Sequence, residues 1–235
     1  VNETNHNDDD DSAEHGPLSR LEDLVAPASR RRFMTTTAKV GGVLALAGAG
    51  AGTAAAGGSG MDDGEHENGD DGDSDDDGDE MDDGDTEEVS DLDVLNYALT
   101  LEHLEAAYYN EFLENYSESD VERSDVAAIF ADDGSRYSTY QKIEEVRDHE
   151  EAHVEALTAT IEDLGGEPVE PLDYEFPYES VEEFAALSAT IESVGVSAYA
   201  GAAPLISNPD LIPPALSIHS VEARHTAYFN VLNTT

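Results

Sequence analysis

From residue 89 through residue 235 the apolar residues recur every three or four positions in four long runs, the spacing that puts them on one face of an α-helix. The first run, SDLDVLNYALTLEHLEAAYYNEFLENY, carries Val94, Ala98, Leu101, Leu104, Ala107 and Tyr108 in that register. Ser90, three residues before Asp93, reads as its N-terminal cap, with Asp in the place of the usual Glu. A second predicted helix covers residues 138–164 and is stopped by Gly165-Gly166, a third covers 179–203 and a fourth 214–232. Strand patterning is almost absent. Each apolar stripe needs neighbours to cover it, so four of them predict an all-α protein built as a four-helix bundle. Of the connections, residues 117–137 hold a short helix near 126–130, residues 165–178 carry the chain from the second helix to the third, and AAPLISNPDLIPP is too rich in proline to be one continuous helix.

Some polar residues sit where the stripes should be apolar. Glu102 lies between Leu101 and Leu104 in the first helix, seven residues before Tyr109. Glu192 lies between Ile191 and Val194 in the third, seven residues before Tyr199. The second helix supplies Glu150-x-x-His153 and the fourth Glu222-x-x-His225. Along the chain the order is Glu-x6-Tyr, Glu-x-x-His, Glu-x6-Tyr, Glu-x-x-His, the pattern of a duplicated helix pair. Residues three apart share a helical face, so each Glu-x-x-His can aim a carboxylate and an imidazole at one point. Four inward carboxylates without cations would raise one another's pKa values and cost several kcal/mol each, roughly, to bury. Two metal ions remove that conflict, and a set of four carboxylates and two imidazoles suits iron or manganese better than copper. Glu105 is the rival of Glu102, but it turns partly away from the stripe. His103, His149 and His219 read as surface residues or as neighbours of the ligands.

On these residues the segment 90–232 resembles the ferritin-like superfamily of di-iron carboxylate proteins, and in particular its exported ferritin-like domains. The resemblance implies that Glu102 and Glu192 are terminal carboxylates, Glu150 and Glu222 bridging ones, and His153 and His225 terminal imidazoles. Tyr109 and Tyr199 would lie close by as hydrogen-bond partners or electron donors. Many relatives have an acidic residue just before the second-helix or fourth-helix glutamate to orient a histidine. This chain has His149 and Val221 there, so orientation is expected to come from elsewhere or affinity to be weaker. The implied cofactor is a pair of iron ions, with manganese as the alternative. The implied activity is that of a ferroxidase or peroxidase-like oxidoreductase acting on Fe(II) with oxygen or peroxide. A different class stays open: a non-enzymatic surface or desiccation-related module that binds partners, with a structural metal or none. With all six ligands in one chain, a monomer or small homo-oligomer is expected rather than a storage cage.

Composition changes the picture mainly before residue 89. The chain has 55 acidic and 10 basic residues, a formal charge of -45. That excludes charge-driven binding to nucleic acid, and it resembles the halophilic surfaces of haloarchaeal proteins, which work in salt concentrated enough to screen self-repulsion. There is no cysteine, hence no disulfide and no thiolate ligand. Residues 1–28 form a polar, acidic extension with nothing to fold around. Residues 29–58, SRRRFMTTTAKVGGVLALAGAGAGTAAAGG, resemble a twin-arginine export signal with Arg30-Arg31 as the pair and a cleavage site near Ala54 to Ala56. This implies a folded domain secreted to the cell surface or beyond, tethered to the membrane at most weakly if the signal is not cut. Residues 59–88 include 17 carboxylates in the 27 positions from 62 to 88 and predict a disordered spacer. The folded domain is then 89–235.

Overall fold

A computed structural model of the chain describes Leu21, Leu24 and Val25 together with residues 89–130 and 133–234. Its helices are α1 (Asp91–Asn115), α2 (Glu118–Arg123), α3 (Asp125–Ala128), α4 (Asp133–Arg136), α5 (Thr139–Asp163), α6 (Val181–Ala202) and α7 (Ile212–Leu232). The four long ones, α1, α5, α6 and α7, are the four runs predicted from the apolar period, with ends within two or three residues of the expected ones.

The helix ends follow from local chemistry. Ser90 caps α1: its hydroxyl accepts from the Asp93 amide at 3.2 Å, and the Asp93 carboxylate accepts from the Ser90 amide at 2.8 Å. Two of the first-turn amides are thus satisfied reciprocally. Helix α5 stops at Gly165, whose φ of +78° is left-handed and open to glycine at no steric cost. Between α6 and α7 the prolines reduce the chain to two single 3-10 turns, Ala203–Leu205 and Pro209–Leu211. Asp91 holds this connection by accepting from the amides of Ser207 and Asn208 at 2.7 and 3.0 Å.

Helix α1 packs chiefly on α5, and α6 on α7; α1 also meets α6, and α5 meets α7. The bundle is therefore two helix pairs laid against each other, as the duplicated pattern implies. Its interior is divided into two apolar cores. The larger one contains Leu101, Leu104, Tyr109, Ile143, Ile191 and Phe229. An aromatic stack belongs to it, in which Phe184 lies 3.5 Å from Phe112 and 4.9 Å from Tyr108, centroid to centroid. The smaller core holds Leu95, Leu99, Leu157, Ile161, Leu211 and Ile218 near the start of α1.

Two expectations are corrected here. The extension 1–28 does have something to fold around: Leu21, Leu24 and Val25 are at most 4% exposed and belong to the larger core. Val25 forms an isolated antiparallel bridge with Tyr174 of the α5–α6 connection, and the Leu24 carbonyl accepts from the Glu175 amide at 2.9 Å. Leu21, Leu24 and Val25 stand three and four positions apart, but the run is too short to read as an element by itself, and the aromatic connection gives these residues a surface to cover. The weak membrane tether does not stand either. No helix among the described residues is long and apolar enough to cross a membrane. The signal-like segment 29–58, to which the tether was assigned, and the acidic spacer 59–88 lie outside the described residues.

Candidate metal centre

The two cores are separated by a layer of buried acid. Glu102 of α1, Glu150 of α5, Glu192 of α6 and Glu222 of α7 are each 0% exposed, and His153 and His225 are nearly so. No apolar packing argument accounts for four carboxylates at this depth, since burying one ionised carboxylate without a counter-charge is strongly unfavourable. Each of the four long helices contributes one, because each carries a glutamate on its apolar stripe.

The side chains converge as two overlapping groups. In one, Glu102, Glu150, His153 and Glu222 offer ligand atoms all within 4.8 Å of one another; in the other, Glu150, Glu192, Glu222 and His225 do so. Glu150 and Glu222 belong to both groups. Glu102 and His153 complete one group, and Glu192 and His225 the other. His153 Nδ1 lies 2.9 Å from Glu150 Oε2, 3.1 Å from Glu102 Oε2 and 3.2 Å from Glu222 Oε1. His225 Nδ1 lies 2.8 Å from Glu150 Oε1 and 3.4 Å from Glu192 Oε2.

The polar atoms of this layer are only partly satisfied by one another, chiefly where His153 Nδ1 meets Glu102 and Glu150. Glu150 Oε1, Glu192 Oε2, both carboxylate oxygens of Glu222 and Nδ1 of His225 are buried without a well-angled hydrogen bond, although His225 Nδ1 lies within ion-pair distance of Glu150 and Glu222 Oε1 within that of His153. Buried polar atoms are nearly always paired, so a cluster of orphans that face each other fits a pair of cations. The donor set is rich in oxygen with one imidazole per end and no sulfur, which suits iron or manganese.

Protons and charges are shifted accordingly. Burial raises Glu150 to about 7 against the lowering effect of His153 and His225. Glu222 is raised well above the carboxylate range by burial and then by the charges of Glu150 and Glu102. Burial pulls His153 and His225 down, but the carboxylates around them outweigh it and lift them to about 12 and about 9. Without cations, the layer therefore holds protons on His153, His225 and Glu222.

The two tyrosines reach across the bundle. The Tyr199 hydroxyl of α6 donates to Glu102 Oε1 of α1 at 2.5 Å, and the Tyr109 hydroxyl of α1 donates to Glu192 Oε1 of α6. Each phenol is thus paired with the glutamate of the other half, not with the one seven residues before it. Both are raised well above the usual tyrosine range, by burial first and then by the charge of the glutamate they contact. They are neutral donors that fix Oε1 of Glu102 and of Glu192 and leave Oε2 facing His153 and His225, respectively.

Two further side chains belong to the layer. Glu105 is 2% exposed, and its Oε2 has no partner. It does not turn away: it faces Gly195 of α6, where an added Cβ would lie 3.0 Å from Glu105 Oε1 and 3.1 Å from Glu222 Oε2. A glycine in mid-helix, opposite a helix with glutamates three apart, is the sequence signal that could have placed it. His149 is the other. Its Nδ1 is 3.0 Å from Nε2 of His225, and the two rings stack at 5.2 Å. The position before Glu150 therefore does orient a histidine, with an imidazole in the place of an acid. Burial, and next the charge of His225, lower the His149 pKa. His103 instead bonds the Val169 carbonyl at 3.1 Å and holds the α5–α6 connection, and His219 does not join either group.

Four long helices around a buried layer of four carboxylates and two histidines form a bundle consistent with a di-metal carboxylate site. Residues 90–235 match the family model described as "Ferritin-like domain", and the chain belongs to that family. No curated protein sequence matches the chain significantly.

Proposed function

We propose that the domain is a di-iron redox protein that oxidises Fe(II) or reduces peroxide. The observation that carries the reading is the doubled group in which Glu150 and Glu222 are common to both ends, since only a dinuclear centre uses two carboxylates twice. Glu102 and His153 would hold one iron, Glu192 and His225 the other. A pair of adjacent irons supplies two-electron chemistry, in which peroxide takes two electrons and two protons and leaves as two waters.

The chain's own residues set the terms of that chemistry. Tyr109 and Tyr199 hold the terminal carboxylates by their Oε1 atoms, so the metal-facing oxygens are pre-oriented. His149 keeps His225 turned with Nδ1 toward the carboxylates. The apolar cores on either side exclude water from the layer and strengthen every charge interaction within it. Glu105 adds a fifth buried carboxylate beside the bridging Glu222.

Anaerobic titration of the full chain with Fe(II) should saturate at two ions, and peroxide or oxygen should then produce an optical change with the stoichiometry of two irons oxidised. Binding near zero would reject the metal reading and leave a partner-binding module. Two bound ions inert to both oxidants would keep the site and remove the redox role. We further propose export through Arg30-Arg31, supported by the weakly apolar run that follows them. Replacing both with lysine should retain the precursor inside the cell, and unimpaired secretion of that variant would overturn it.

A further inference from the structure

Next to the acidic layer the bundle is not filled. A cavity of about 60 Å³ lies among the start of α1, the end of α5, the end of α6 and the start of α7. Its position relative to the candidate centre follows from helical spacing. Ala98 precedes Glu102 by four residues, Leu157 follows His153 by four, and Ile218 precedes Glu222 by four; all three line the cavity. Four residues advance a helix by about 6 Å, so the cavity sits one turn along the bundle axis from the Glu102, Glu150, His153 and Glu222 group. From α6, Tyr199 belongs to both: its ring lines the cavity, and its hydroxyl donates to Glu102 Oε1 at 2.5 Å.

The lining decides what can occupy it. Alanines at 98, 198 and 215 leave the space, and the wall is almost entirely carbon. The Thr160 hydroxyl on the wall is spent on the Ala156 carbonyl at 2.7 Å, and that of Tyr199 on Glu102. A buried water needs two to four polar partners, and apolar cavities stay dry. Hydrogen peroxide, with two donors and four lone pairs, is disfavoured for the same reason. An apolar cavity of about 150 Å³ accepts benzene or xenon, so one less than half as large selects a diatomic or a single noble-gas atom over a ring. Ala156 and Pro214 are exposed at its edge and give it a mouth, with Tyr199 buried at the inner end.

We propose that this cavity is a binding site for a small apolar co-substrate, dioxygen, held one helical turn from the Glu102 and His153 end of the centre. The binding claim stands on the cavity alone. The claim that the bound molecule serves the centre rests on the function proposed above and makes oxygen, rather than peroxide, the preferred oxidant.

Xenon is the probe, applied to the metal-free full chain and read by xenon NMR exchange or in xenon-pressurised crystals. One saturable site is expected in the wild type, and none in Ala98→Leu or in Ala198→Leu, two fillings from different helices whose folding is checked by circular dichroism. No xenon site in the wild type, or an undiminished one in a folded filled variant, overturns the binding claim whatever the protein does with iron. In the iron-loaded chain the filled variants should keep two irons and their rate with peroxide, while oxidation by oxygen slows about tenfold. Equal slowing with both oxidants, or no slowing, overturns delivery. A chain that binds no iron defeats the proposed function, and the xenon result still decides the cavity.

Discussion

Replacing Glu150 with Gln tests whether the buried layer is built for metal, because it should stabilise the metal-free protein and ruin the metal-bound one. Glu150 is fully buried, and burial raises it from 4.5 to about 7. The folded protein therefore holds this proton more tightly than the unfolded chain does. The associated stability is fully present below pH 4.5 and is lost as pH rises through 7. At about 1.4 kcal/mol per pH unit the loss is about 3 kcal/mol. His225, raised to about 9, extends the decline: its contribution is present below 6.5 and gone above 9. The two do not add, since His225 Nδ1 and Glu150 Oε1 face each other at 2.8 Å. Gln cannot ionise, so the difference between variant and wild type should be small near pH 4.5. It should swing in favour of the variant by about 3 kcal/mol by pH 8, or about 10 °C in Tm for a domain of this size. The assay is thermal unfolding of both proteins with a chelator, across pH at constant ionic strength. That comparison cancels the pH dependence of acids remote from Glu150, while Glu222, His153 and His225, which Glu150 itself perturbs, shift with the substitution. With Fe(II) added, the order should reverse, because the wild type gains binding energy at both ends of the centre and the variant does not. A variant destabilised equally at every pH, and responding to iron as the wild type does, would refute the reasoning and make Glu150 a structural hydrogen-bond acceptor.

Tyr109→Phe should retain two irons but change the optical spectrum and slow oxidation, since only the hold on Glu192 is lost; loss of one iron on titration would show that the phenol is required for binding. His149→Ala should weaken iron binding at the His225 end alone, giving two unequal steps in a titration, whereas His149→Asp should restore equivalence; identical titrations of all three proteins would dismiss the orienting role. Gly195→Ala gains about 1 kcal/mol of helix propensity but sets a methyl 3.0 Å from Glu105 and 3.1 Å from Glu222. It should leave the metal-free Tm within a few degrees of wild type and lower iron affinity, and unchanged affinity would mean that Glu105 and Glu222 can both move aside freely.

The four helices and the six candidate ligands were legible in the sequence because both are statements about one helix at a time. A period of 3.6 fixes which residues share a face, so Glu150 must share one with His153, and Glu222 with His225, in any helical setting. Equally local were the Ser90 cap and the stop at Gly165. What the sequence could not decide is what faces each stripe from the neighbouring helix. Spacing alone sets Tyr109 with Glu102, two turns away on the same helix. The packing of α1 on α6 instead gives each tyrosine the other half's glutamate. The same limit hid Glu105, which looks half-turned from the stripe on its own helix and is sealed in because Gly195 lets α6 approach. It hid His149, whose role exists only because α5 brings it beside His225 of α7. Leu21, Leu24 and Val25 show helical spacing over too short a run to predict burial, and are buried because the α5–α6 connection supplies an aromatic surface. The cavity beside Tyr199 is decided in the same way: each alanine lining it is an ordinary helix former, and the space exists only where four helices place their small side chains at one level.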